Sequence, residues 1–410
     1  MAGLRKAWCQ CCIAGGGPAG IMLGYLLARA GLDVVVLEKH ADFFRDFRGD
    51  TIHPSTLALF DELGLLSRFL QLPHHAVRDL RMAFGSSQVR IADFRHLPTP
   101  CRFIALMPQW DFLNFLAGQA RAYPTFSLHM PTEATSLIER QGRVAGVRAR
   151  SDQGELEVYA DLCVAADGRH STLRERAGMQ VRDLGAPMDV LWFRLARRPD
   201  AADQPLGRFG AGQILIAIDR GDYWQCGYVI PKGGYEALRG RGLEAFRGRL
   251  ASFVPSLAEE IAALTAWDEI KLLTVKVDRL DRWWRPGLLC IGDAAHAMSP
   301  VAGVGVNLAI QDAVATANEV AQPLLDAALG DEHLARVQRR RQWPAALTQR
   351  LQLLVQNRVI ADALEEEEQV TPPLAFRLIG RLPLLSRIPA RLIGLGVRPE
   401  HIATPDVGTS

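Results

Sequence analysis

The sequence has almost no charge imbalance: 47 Lys and Arg stand against 45 Asp and Glu in 410 residues. A general nucleic-acid binder carries a basic excess, so that class is excluded for the chain as a whole, though a local basic patch is not. Cysteine is sparse and odd in number: Cys9, Cys11, Cys12, Cys101, Cys163, Cys226 and Cys290. A chain of this length needs no disulfide framework to build a core, and a reduced, cytoplasmic setting is expected. Cys9, Cys11 and Cys12 have no downstream Cys/His pair at zinc spacing. They read as small residues of a buried strand, and no metal is expected. Internal repeats are missing, and the only biased segment is Glu365–Glu368, read as a solvated helix surface. Uncharged apolar runs of spanning length are missing too, with one exception. Residues 7–28 carry no charge and follow Arg5 and Lys6, as in a signal peptide or a membrane span. Gly15, Gly16, Gly17, Pro18, Gly20 and Gly24 interrupt that run, so a strand, a tight loop and a helix are expected there instead.

What is present is an ordered set of buried-strand and helix patterns. Residues 8–14 and the almost wholly apolar 33–38 predict strands of a sheet covered on both faces, with a helix over 18–30 between them. Helices are predicted at 55–63 and 109–122, a hairpin at 143–150 and 155–160, and a separate strand at 162–166. From about 185 the pattern changes. Strands are predicted at 188–195, 213–218, 224–230 and 271–277, with a helical stretch at 242–265, which suggests an antiparallel sheet in an α+β region. A buried strand returns at 288–292, followed by helices over 305–326 and 335–365. The expected division is a dinucleotide-binding unit over 1–180, a substrate unit over 181–280, a return segment over 281–345 and a helical C-terminal region over 346–410.

Three motifs carry chemistry. Gly15-Gly16-Gly17-Pro18-Ala19-Gly20 fits G-x-G-x-x-G between a strand and a helix. Glycine there lets backbone approach a pyrophosphate, and the helix N-terminus offers N–H groups to it. Glu38, at the end of the second strand, is placed to accept hydrogen bonds from ribose hydroxyls. Gly240-Arg241-Gly242 has no apolar strand before it and is rejected as a second nucleotide fold. The second motif is the strand-end Asp167-Gly168. The third begins at Gly292-Asp293 and runs through His296, Pro300, Gly303, Gly305 and Asn307. A helix starting near Gly305 would favour negative charge at its N-terminus.

GGGPAG with Glu38, CVAADG at 163–168 and GDAAHAMSPVAGVGVNLAIQDA at 292–313 resemble the three fingerprints of the single-component flavoprotein aromatic hydroxylases. These are the para-hydroxybenzoate hydroxylase-like monooxygenases, which include ubiquinone-biosynthesis hydroxylases. The order and spacing match over roughly 8–320. The resemblance implies an α/β FAD-binding Rossmann-like fold with an inserted antiparallel-sheet substrate domain and C-terminal helices. It implies FAD as cofactor, NAD(P)H as transient co-substrate and O2. The reaction implied is hydroxylation of a small aromatic substrate, phenolic or related, through a flavin C4a-hydroperoxide. It places Gly15, Gly17, Pro18, Ala19 and Gly20 at the pyrophosphate and Glu38, with its neighbour Lys39, at the adenosine ribose. Arg48 and Gly49 fall beside the pyrophosphate and flavin linker, and Gln109 at the ribityl chain. Asp293 falls at a ribityl hydroxyl, and Pro300, Gly303, Gly305, Val306 and Asn307 near the isoalloxazine. Asp167 and Gly168 serve both FAD and the NAD(P)H site. No catalytic side chain is named.

Blander readings stand beside these. His296 reads first as a helix-packing histidine, and Arg48 can be a surface arginine. Trp192, Phe193, Trp224 and Tyr228 fall on predicted strands and read first as sheet core, with a substrate pocket as the alternative. A halogenase would normally carry a WxWxIP signature, and the tryptophan spacing of Trp224–Pro231 departs from it. A prenyl-reductase-type enzyme or a non-catalytic GDI-like binder of the same fold is the remaining alternative. Residues 374–398 mix Leu and Ile with Arg377, Arg381, Arg387, Arg391 and Arg398 and hold no acidic residue. Pro383 and Pro389 break any continuous amphipathic helix. Short turns packed on the protein are the favoured reading, and contact with an anionic membrane surface is the other. A monomer or a homodimer is expected.

Overall fold

The computed structural model describes residues 4–44, 51–198, 206–210, 212–365 and 371–408. Two sheets organise the chain. The first has eight strands, in the order Trp284–Arg285, Leu288–Cys290, Gly154–Ala165, Arg5–Ala14, Val34–Leu37 and Phe126–His129, with Arg143–Ser151 and Thr132–Arg140 branching off Gly154–Ala165. Its centre is parallel: Arg5–Ala14 pairs in parallel with both Gly154–Ala165 and Val34–Leu37. Val34–Leu37 is buried along its whole length because helices cover both faces, as its unbroken apolar run requires. The helix Pro18–Arg29 crosses between the first two strands, with Pro18 in its first turn, where a missing N–H costs nothing. It packs on the helices Gln109–Ala120 and Gly305–Leu325.

Cys11, Cys12 and Cys163 lie buried on the central strands, and burial pushes their thiols up. They are packing residues. The expected hairpin turns between Ser151 and Gly154, but 155–160 and 162–166 form a single strand, Gly154–Ala165. Its first half pairs antiparallel with Arg143–Ser151, and the whole of it lies beside Arg5–Ala14.

The second sheet has seven strands: Lys271–Leu273, Met188–Ala196, Tyr223–Pro231, Gln213–Asp219, Gly207–Gly210, Asp79–Phe84 and Ser87–Asp93. It is antiparallel except where Gly207–Gly210 runs parallel to Asp79–Phe84. The Asp79–Asp93 hairpin joins from far upstream and has no counterpart in the expected elements. The strand expected over 271–277 stops at Leu273. The helical stretch over 242–265 divides at Pro255 into Leu243–Phe253 and Ala258–Ala262. A long helix runs Asp331–Val355, then widens into a π-helical turn over Gln356–Ile360 before Ala361–Glu365.

Strand alternation gives this sheet two different faces. Leu191, Phe193, Leu195, Trp224, Cys226 and Tyr228 point to one face and close over Phe246, Leu250 and Ile261. Val190, Val229 and Ile214 point to the other, where Ile360 and Ala363 cover them. Trp192 lies on this second face and touches two separate apolar clusters. Its ring lies flat on Gly227, where a Cβ would sit 3.1 Å from it. Among the described residues, no helix is long and apolar enough to cross a membrane.

Candidate active site

The parallel register lines up the motif loops. Leu37, Ala14, Ala165 and Cys290 form one row across four adjacent strands. Glu38, Gly15, Asp167 and Asp293 therefore follow at one rim, the carboxyl ends of the strands, where open α/β sheets bind ligands.

The first loop is tight for internal reasons. Gly15 has φ +109°, and a Cβ on it would lie 2.3 Å from the Ala166 carbonyl oxygen. A Cβ on Gly20 would lie 1.9 Å from the Gly15 oxygen. Gly17, the N-cap of the helix Pro18–Arg29, has no protein atom within 4 Å of its Cβ position and no side-chain cap. This open helix N-terminus is a cradle for an anionic group. Ala19 is buried behind it. Glu38 is buried; its Oε2 accepts from the Gly16 N–H at 2.8 Å and its Oε1 from the His40 N–H at 3.0 Å. Lys39 is exposed beside it.

Asp167 ends the middle strand of the row. Burial pushes its carboxyl up; Oδ2 accepts from the Leu173 N–H at 3.2 Å, while Oδ1 is buried without a partner. Gly168, with φ +84°, faces open space. Arg169 reaches Asp293 at 3.6 Å and so ties the second motif to the third. Arg174 was not among the expected residues. Ser171 caps the short helix Thr172–Arg176, and this turns Arg174 inward to donate to the carbonyls of Ala294 and Arg169. The S-x-x-R spacing after Asp167-Gly168 was the available signal.

The third loop leads from Gly292 to the helix Gly305–Leu325. Gly292 has φ +58° and faces Ala19 and Ala309, which lets strand and helices meet closely. After Pro300, Ala302 holds φ +63°, an uncommon value for a residue with a side chain. Gly303 follows at φ +62° against Thr51, whose hydroxyl donates to the Gly303 carbonyl at 2.8 Å. The Gly305 helix start has no side-chain cap. Val306 is half-buried against the first core. The Asn307 side chain is fully engaged: Oδ1 accepts from the His53 N–H and the Thr56 hydroxyl, and Nδ2 donates to the carbonyls of Thr51 and Gly303. Asn307 thus latches this helix to residues 51–56. Val301 packs into the inner face of the seven-stranded sheet, so this loop lies between the rim and that sheet. Gln109 is buried at the start of its helix. Arg48 and Gly49 lie outside the described residues.

His296 is buried and pairs through Nε2 with Asp312 Oδ2 at 2.5 Å. Asp312 also accepts from Arg341 Nε at 2.9 Å and from the Gly292 N–H at 3.1 Å. Burial pushes the Asp312 carboxyl up, but His296 and Arg341 outweigh it and hold it below the usual carboxylate range. Arg341 continues to Glu400 at 3.0 Å. This network stands behind the third motif and fixes the Gly292 turn, which agrees with the packing role read for His296.

The open Gly17 cradle, the buried carboxylate at the second strand end and the orphaned Asp167 oxygen all fit a dinucleotide cofactor along the rim. The donor set is backbone N–H groups and carboxylates, suited to pyrophosphate and hydroxyls. Comparison with known proteins agrees. A family model described as an FAD binding domain matches residues 8–351. The chain belongs to the single-component FAD-dependent aromatic hydroxylases, a class that uses NAD(P)H and O2, and its cofactor is FAD. It is 33% identical over 383 residues to 6-methylpretetramide 4-monooxygenase of Streptomyces rimosus, covering 93% of this chain and 91% of that protein. Aklavinone 12-hydroxylase DnrF of Streptomyces peucetius is 27% identical over 345 residues, covering 73% of this chain and 65% of that one. Among solved structures, PqsL of Pseudomonas aeruginosa is similar at TM-score 0.73 and 25% identity, covering 88% of this chain and all of that one. The halogenase CmlS has TM-score 0.74 at 19% identity and shares the fold alone.

Proposed function

We propose that this monooxygenase hydroxylates a fused-ring aromatic of polyketide type. The carrying observation is the similarity to 6-methylpretetramide 4-monooxygenase, which extends over nine tenths of both chains. When bound, FAD supplies the chemistry that the side chains lack, acceptance of hydride and delivery of one atom of O2 to an electron-rich ring. The protein's own part is to hold and to exclude water. Gly15, Gly17, Pro18, Ala19 and Gly20 would receive the pyrophosphate at the helix N-terminus. Glu38 would exchange its backbone donors for ribose hydroxyls, with Lys39 at its side. Gln109 and Asp293 would bind the ribityl chain. Pro300, Gly303, Gly305 and Val306 would lie along the ring system, and the uncapped Gly305 helix start would favour negative charge there. Asn307 would act through its backbone, since its side chain is committed. Asp167 and Gly168 would border the NAD(P)H approach. The substrate would lie between the Pro300–Gly305 loop and the inner face of the seven-stranded sheet, against Trp192. In this reading the FAD unit spans 1–180 and 281–345, the substrate unit 181–280 joined by the 79–93 hairpin, and 346–410 packs across both. The free thiols suit a cytoplasmic enzyme, monomeric or homodimeric.

The test is a screen of phenols and fused-ring polyketides against the flavin-loaded protein with NADH or NADPH. A substrate that accelerates NAD(P)H oxidation and gains one oxygen atom from O2 supports the reading. A product that requires halide, or reduction that proceeds without O2, overturns it.

A further inference from the structure

On the C-terminal helices Leu374–Arg381 and Arg387–Gly394, Phe376, Ala390 and Ile393 pack inward, while Leu374, Leu378, Ile388 and Leu392 face out. Gly380 lies so close to the Ser87–Asp93 strand that a Cβ would sit 3.0 Å from Val89. A Cβ on Gly394 would sit 2.7 Å from Leu97 and 3.3 Å from Phe94. Ala390 is buried, and Phe376 meets Phe84 with ring centroids 5.9 Å apart. Phe376 and Gly380, like Ala390 and Gly394, are four residues apart, so each pair fixes the inward stripe of its helix. The opposite stripes are then set: Leu374, Leu378 and Leu382 on one helix, Ile388 and Leu392 on the other. These five and Leu384 between them are 38% to 67% exposed.

Arginine follows the same spacing. Arg377, Arg381, Arg387 and Arg391 flank the outward stripes and are exposed, and Arg398 follows. No Asp or Glu occurs in 374–398. On and just after the neighbouring hairpin the arginines are ion-paired: Arg81 with Asp79, Arg90 with Asp79 and Asp93, and Arg95 with both. Among the described residues no carboxylate pairs with Arg377, Arg381, Arg387 or Arg391. A second copy is a poor occupant, because a two-fold contact would set this patch against itself, arginine facing arginine. Leucine wanting an apolar medium beside arginine wanting anions, on short surface helices, is the pattern of an interfacial segment.

We propose that the face formed by 374–398 docks on an anionic lipid surface, with Leu374, Leu378, Leu384, Ile388 and Leu392 entering the acyl boundary and the arginines at the headgroups. The enzyme would thereby meet poorly soluble substrates at a membrane. The experiment is co-sedimentation of the full-length, FAD-loaded protein with vesicles of phosphatidylglycerol and phosphatidylcholine, and with pure phosphatidylcholine. Binding is expected on the anionic vesicles and is expected to weaken at high salt. Arg377→Gln/Arg381→Gln is expected to weaken it about 25-fold, about five-fold per arginine. Leu378→Ser/Leu392→Ser is expected to weaken it on the order of tenfold or more, with flavin content and activity retained. Equal binding to neutral vesicles, no binding to anionic ones, or binding indifferent to the leucine variant overturns the proposal. So does a dimer in sedimentation equilibrium that the leucine variant dissolves.

Discussion

The two sheets hold their ligand-facing sides by different means. At the rim of the eight-stranded sheet, residue type is enforced by contact: Gly15 and Gly20 have backbone oxygens where a Cβ would be. On the seven-stranded sheet the close glycine contacts are with side chains, Gly207 with Met82 and Gly227 with Trp192, rather than with backbone. There strand parity decides, sending Phe193 and Trp224 to a sealed core and Trp192 to the side that meets the Pro300–Gly305 loop. In the proposed reading the cofactor side is thus stereochemically constrained, while the substrate side is free to change residue so long as alternation holds. That difference suits an enzyme class with one cofactor and many substrates.

The largest effect expected is at the rim. Gly20→Ala places a Cβ 1.9 Å from the Gly15 oxygen and is expected to abolish the folded flavoprotein. Gly17→Ala, with nothing within 4 Å, should keep the apo-protein melting temperature and lose flavin affinity. Equal melting losses in the two variants would erase the distinction between packing glycines and ligand glycines. On the other sheet, Phe193→Ala should cost about 3–5 kcal/mol in denaturant unfolding, as a large side chain removed from a sealed core. Trp192→Ala should cost clearly less and instead raise KM for the aromatic substrate. The reverse pattern would assign the wrong face to the site.

Third in size is Glu38→Gln. The ribose hydroxyls proposed to meet Glu38 lose a charged acceptor, and FAD should bind about 10- to 100-fold more weakly, or ~1.5–3 kcal/mol. Titration of apo-protein with FAD measures it, and unchanged affinity would make Glu38 a purely structural clasp. The smallest effect concerns His53, at the joint between the sheets. It is fully buried, its Nδ1–H donates to the Ile393 carbonyl at 2.8 Å, and burial lowers its pKa to about 4. Below the usual 6.5 the unfolded chain takes up a proton that the folded one refuses. Stability should therefore fall as pH drops, by about 2 kcal/mol at pH 5. Melting curves at pH 7.5 and 5 should show a smaller loss in His53→Gln; an identical loss would show that His53 is not the sensor.

Much of the rim could be read from the sequence because glycine, strand-end carboxylate and apolar run each have one dominant physical cause. The helices Pro18–Arg29 and Gly305–Leu325 stand close to where periodicity placed them. The Asp79–Asp93 hairpin was invisible, since its partner Gly207–Gly210 lies over a hundred residues downstream and its own alternation is blurred by charge. Residues 155–166 read as two strands because Asp161 interrupts an apolar pattern that pairing on both sides tolerates. The engagement of Asn307 joins distant segments that no local spacing announces, and for Arg174 the S-x-x-R spacing marks the local turn but not its distant partner, the Ala294 carbonyl. The four aromatic residues on predicted strands could not be sorted into pocket and core until both the pairing and the covering helices were known.

The register of the first strand also bears on how the chain must be made. Arg5–Ala14 comes well before its long neighbour, which begins at Gly154, and the strand beyond that begins at Leu288. Val34–Leu37 follows soon after Arg5–Ala14 and covers one of its edges, but at ~5–20 residues per second the other edge waits on the order of ten seconds or more for Gly154–Ala165. Until Leu288–Cys290 arrives, Gly154–Ala165 keeps one parallel edge open beside it. A chain cut short before Leu288 therefore keeps apolar strand edge uncovered, the kind of surface that favours aggregation.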